Sequence, residues 1–66
     1  SSGITPREEE VLQLVAEGHT SKEVSQILNV SVKTVENHRQ NIMKKLDLHS
    51  VAELTKFAVR KGITAL

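Results

Sequence analysis

An all-α domain of four helices is predicted by three features of this 66-residue sequence. Four Ser/Thr-led segments carry helix-start chemistry, residues that tolerate left-handed dihedrals follow at helix-length intervals, and no alternating β-branched run bounded by hairpin turns is present. Thr5-Pro6-Arg7-Glu8 is a capping box with proline at the first helical position, where its missing N–H costs nothing. The proline also biases Thr5 toward extended dihedrals, as a cap requires. The first helix therefore runs from about Pro6 to Glu17, stops at Gly18 and turns Val11, Leu12, Leu14 and Val15 inward. Thr20-Ser21-Lys22-Glu23 repeats the pattern and opens a second helix, about Ser21 to Leu28, that ends at Asn29. Its inward set is Val24, Ile27 and Leu28, with Lys22 and Gln26 outside. This helix depends on tertiary packing, since isolated helices below ~12 residues are marginal in water. Ser31 with Thr34 is a weaker start for a third helix, about Val32 to Leu46, with Val35, Ile42 and Leu46 inside and Val32 and Met43 at the edge. Ser50-Val51-Ala52-Glu53 opens the fourth, about Val51 to Lys61, which turns Val51, Leu54, Phe57 and Ala58 inward and stops at Gly62.

The length corresponds to one domain and disfavours an enzyme with its own substrate cavity, since so short a chain buries only roughly 60% of its unfolded surface. Residues 4–66 are read as that domain, and Ser1, Ser2 and Gly3 as a linker or cloning remnant with neither the basic nor the apolar region of a signal peptide. Cysteine is absent, so neither disulfide staples nor thiolate metal sites are available, and a cytoplasmic setting is expected. No apolar run approaches the ~20 residues of a membrane span. His19, His38 and His49 include no i,i+4 pair, so no metal or other cofactor is expected. The serine, histidine and acidic residues come without a nucleophile loop to make a catalytic site.

Although the formal net charge is only +1, its distribution is uneven. Residues 4–17 sum to −3 and residues 31–46 to +3, so one helix-length segment is basic. Between Leu28 and Ser31 there is room only for a tight turn, which forces the second and third helices to cross steeply. Ser25 as the small residue at the approach, Asn29 at the turn, and Val24, Leu28, Val30 and Val35 as apolar clamps have helix-turn-helix spacing. An interaction-only helical hairpin shares that spacing. The outer face of the third helix presents Lys33, Asn37, Gln40 and Lys44 in line, side chains suited to base edges and phosphates in a major groove.

The segments Ile4-Thr5-Pro6-Arg7-Glu8-Glu9-Glu10-Val11-Leu12, Gly18, Ser21-Lys22-Glu23-Val24 and the run from Ser31-Val32-Lys33-Thr34-Val35 through Ile42-Met43-Lys44-Lys45-Leu46 resemble the LuxR-type helix-turn-helix. The stretch Leu48-His49-Ser50-Val51-Ala52-Glu53-Leu54 is most similar to the NarL/FixJ class of bacterial two-component response regulators. The resemblance implies a four-helix output domain that binds double-stranded DNA to regulate transcription, with the third helix as recognition helix and the fourth as dimerisation helix. It also implies an N-terminal phosphorylatable receiver domain beyond this chain, and RNA polymerase as a further partner. Ser21 stands where the family often has Asn, Ser25 where it has Ala, and Asp47 where Gly often precedes the last helix.

Phosphate contacts position a protein on DNA and base contacts specify sequence. The expected phosphate set is Thr20, Ser21, Lys22, Ser31, Lys33, Thr34, His38, Arg39 and Lys45. Thr20 and Ser31 serve equally as helix caps, His38 as a structural histidine, and Arg39 packs its stem beside Val35 and Ile42. The expected base set is Asn37, Gln40, Glu36 and Lys44. Glu36 either accepts from cytosine N4 or sits beside the groove and repels wrong bases. The outward face of the fourth helix, Ala52, Glu53, Thr55, Lys56, Val59 and Arg60, is the expected surface of a weak homodimer completed on DNA. Two other readings remain open at this level: a helical protein-interaction module, and a sigma-factor-like promoter-binding domain.

Overall fold

The computed structural model describes residues 3–65. The expected remnant at Ser1 and Ser2 lies outside the described residues. The described residues form four helices and no strand: α1 (Pro6–Ala16), α2 (Ser21–Leu28), α3 (Val32–Leu46) and α4 (Val51–Arg60). Each begins at the expected cap. The Thr5 and Thr20 hydroxyls accept from the Glu8 and Glu23 amides, and the two glutamate carboxylates accept in turn from the cap amides at 3.0 and 2.8 Å. At α4 the box is incomplete. Ser50 caps the Glu53 amide, but the Glu53 carboxylate accepts from the His49 amide, one residue farther upstream, at 2.7 Å.

All four helices end in one way. A residue with positive φ follows each (Gly18, Asn29, Asp47, Gly62), and the next amide reaches back five residues, from His19 to Leu14, Val30 to Ser25, Leu48 to Met43 and Ile63 to Ala58. This satisfies carbonyls that the helix terminus leaves without partners. In three of the four the residue after the turn is apolar, and Val30, Leu48 and Ile63 pack against the core. Asp47 adopts the left-handed conformation, φ 55° and ψ 46°, and so serves where a glycine is commoner.

Every helix contributes to one core: Val11, Leu12 and Val15 from α1, Val24 from α2, Val35 and Ile42 from α3, and Leu54 and Ala58 from α4. Helix α1 is central, packing on the other three, while α2 also packs on α3. The molecule measures 27 × 23 × 20 Å. Two expected core residues lie outside it. Ile27 is 53% exposed because Ser25 is buried with Val24, and Leu28 is half-buried beside them, rotating the inner face of α2 away from position 27. Val51 is 48% exposed at the first position of α4, ahead of the turn where Leu54 meets the core. Leu14, Leu46 and Phe57 are half-buried at the core margin.

Candidate nucleic-acid interface

Helices α2 and α3 are joined by Asn29, Val30 and Ser31 alone. The turn is held by Asn29 in the left-handed region and by the Ser25 carbonyl, which accepts from both the Asn29 and Val30 amides. Ser25 itself is buried where a small side chain is needed, and its hydroxyl donates to the Lys22 carbonyl at 2.6 Å. With Val24 and Val35 fully buried behind this turn, α3 is fixed by its inner stripe and its other side is left in solvent.

That outer side carries Lys33, Asn37, Gln40 and Lys44, all exposed, with Glu36 at one margin. Asn41, also exposed at the opposite margin, was not singled out by the sequence reading, though its spacing of four from Asn37 places it on an adjoining row. Amides and ammonium groups standing free at successive turns present donors and acceptors spaced for base edges.

The remaining expected contact residues divide by what they touch. Thr20 and Ser31 cap α2 and α3 at exposed positions, and Lys22 and Lys33 are exposed beside them. Thr34 is half-buried, with its hydroxyl accepting from Ser31 at 2.9 Å, and His38 is half-buried on the rim of the inner stripe. Ser21, Glu36 and Arg39 form one cluster: the Ser21 hydroxyl donates to Glu36 Oε2 and accepts from Arg39 Nη1 at 2.9 Å, and Arg39 Nη1 lies 3.9 Å from the same carboxylate oxygen.

Lys45 turns away from this group. Its ammonium donates to Glu8 Oε1 at 2.7 Å and to the Gly3 carbonyl at 3.1 Å, joining the end of α3 to the start of α1. Glu8 is only 3% exposed, so beyond its role in the capping box it is a buried carboxylate. The hydrogen bond from Lys45, then that from the Thr5 amide, hold its carboxyl below the usual glutamate range against the opposing effect of burial. Its spacing to Val11, Leu12 and Val15 (i, i+3, i+4, i+7) was the available signal, since it places Glu8 on the apolar stripe.

On α4, Ala52, Thr55, Lys56, Val59 and Arg60 line a shallow depression on the surface. Of the six residues expected there, Glu53 does not line it, its carboxylate being engaged by the His49 amide. No helix among the described residues is long and apolar enough to cross a membrane.

Residues 2–58 match the family described as bacterial regulatory proteins, luxR family. The chain is 56% identical over 63 residues to the uncharacterised response regulatory protein YgeK of Escherichia coli (strain K12), covering 96% of this chain and 43% of that protein. It is 48% identical over 60 residues to the oxygen regulatory protein NreC of Staphylococcus haemolyticus and of Staphylococcus carnosus, covering 91% of this chain and 28% of each of those proteins. The chain thus spans less than half the length of these relatives.

Proposed function

This chain belongs to the luxR family of bacterial regulatory proteins and is a DNA-binding helix-turn-helix domain, and from that premise we propose that α3 reads base edges in the major groove as the output unit of a response regulator. The observation that carries this reading is the open row Lys33, Asn37, Gln40 and Lys44 on a helix whose opposite stripe is locked into the core. Asn37 and Gln40 pair with adenine N6 and N7, while Lys44 donates to guanine or to the groove edge. Phosphates flanking the groove meet Thr20, Lys22, Ser31, Lys33, Thr34 and His38. Lys45 acts inside the molecule as the partner of Glu8.

In the same reading the α4 depression is the contact between two copies, related by a two-fold axis, on half-sites about one helical turn (~10 bp) apart. So small a patch gives a weak dimer alone, strengthened when both copies occupy one duplex. The relative named as a response regulatory protein, and the fraction of the relatives' length that this chain spans, support a receiver domain elsewhere in the whole protein.

Selection from random duplexes tests the reading. A recovered motif, with affinity falling steeply as salt rises through counterion release, is expected. Failure to enrich any duplex, or affinity independent of salt, contradicts it.

A further inference from the structure

The Ser21, Glu36 and Arg39 cluster links the first turn of α2 to the reading face of α3 across 15 residues of sequence, which neither helix capping nor core packing requires. A serine hydroxyl has one proton to donate. Here it goes to Glu36 Oε2 while the oxygen accepts from Arg39 Nη1, so the same proton is not available to a DNA phosphate. Glu36 is about half exposed and Arg39 about a quarter, so the carboxylate is held at the margin of the open row rather than buried. Both contacts fall on Oε2, and a carboxylate has acceptor capacity on its second oxygen.

We propose that Ser21 and Arg39 are positioning residues for Glu36, fixing its carboxylate so that Oε1 accepts from an exocyclic amino group in the groove, that of cytosine N4. The inference rests on the DNA-reading role proposed above and deepens it. An unrestrained glutamate on a helix surface samples several rotamers and meets base edges and phosphates alike. One held by a neighbouring helix stands in a single place, where it rewards an amino donor and repels the N7 and O6 acceptors of guanine. Ser21 and Arg39 accordingly serve base selection rather than phosphate grip, which the two roles' different salt signatures make measurable.

The test compares random-duplex selection profiles and salt titrations for the 66-residue chain and for Glu36→Ala, Ser21→Ala, Ser21→Thr and the double variant combining Ser21→Ala with Glu36→Ala. Glu36→Ala is expected to flatten preference for cytosine at one position by about tenfold. Ser21→Ala should flatten the same position and no other, with an unchanged salt slope. Ser21→Thr, which keeps the hydroxyl, should restore the preference, and the double variant should match Glu36→Ala. An unaltered profile in Ser21→Ala overturns the proposal. So does uniform weakening on all sequences with a shallower slope, which makes Ser21 a phosphate contact. A profile unchanged by Glu36→Ala removes Glu36 as a reader. If the unsubstituted chain itself shows no sequence preference, the DNA-reading role fails and the positioning role with it, an outcome distinct from the other three.

Discussion

Lys33 and Asn37 stand one turn apart on the same exposed face of α3, yet their chemistry assigns them different work. Lysine is a point charge that any phosphate satisfies, whereas a primary amide matches adenine through paired donor and acceptor. Lys33→Ala should weaken binding to all duplexes alike and reduce the salt slope by about 1 per copy. Asn37→Ala should cost about 1–3 kcal/mol at particular base pairs and leave other positions alone. Binding-site profiles and salt titrations separate the two. Glu8 and Lys45 provide the corresponding test on the interior. Since the folded-state pKa of Glu8 lies below its unfolded value, the pair's contribution is fully present above ~4.3, the ordinary glutamate pKa. It is lost as pH falls through the lower folded value. Lys45→Met should therefore destabilise the domain at pH 7 by about 1–2 kcal/mol, less than a fully buried pair because Lys45 is partly in solvent. Thermal melts should show the difference from the unsubstituted chain shrinking in acid. A difference that stays constant from pH 7 down to strongly acidic conditions contradicts this. The capping role of Glu8 was legible from Thr5 three residues before it, but its partner lies 37 residues away, and no local pattern announces a pairing between helices.

Among helices, all four starts and three of the stops were legible because they are written in side chains that act within a few residues. Thr5, Thr20, Ser31 and Ser50 satisfy amides three positions on, and Gly18, Asn29 and Gly62 take the left-handed turn, whereas the stop of α3 was not announced, because Asp47 takes that turn where a glycine is commoner. What spacing alone misplaced was the rotation of the shortest helix. In α2 hydrophobicity alone predicts Ile27 inward and gives Ser25 only the role of a small residue at the crossing. The structure buries Ser25 because α3 approaches there, and Ile27 is left outside. Asp47 holds its turn at a cost. Left-handed dihedrals cost an L-residue ~1–2 kcal/mol, part of which glycine returns as unfolded-state entropy. Asp47→Gly should stabilise the domain by about 0.5–1 kcal/mol, seen as a rise in Tm of roughly 2–8 °C. Asp47→Val should lower it.

At the scale of the whole molecule, α1 holds two outward faces apart. Helix α3 packs on it and shows its polar row, and α4 packs on it and shows the depression lined by Ala52, Thr55 and Val59. The sequence disclosed both faces, since each is what remains after the core stripe is subtracted. It did not disclose the cluster that joins α2 to α3, because Ser21, Glu36 and Arg39 become neighbours only once the turn is made. If α4 pairs two copies, Val59→Glu should abolish cooperative binding to a duplex with two half-sites and leave affinity for a single half-site unchanged. Gel-shift titrations on both duplexes check this, and equal cooperativity in the variant contradicts the assignment. If the open row on α3 meets the bases, the side-chain amide resonances of Asn37 and Gln40 report it most directly. In a titration of the isotope-labelled chain with a selected duplex, those resonances should shift and gain protection from solvent exchange. Binding of that duplex with both side chains unmoved and still exchanging freely would contradict the account.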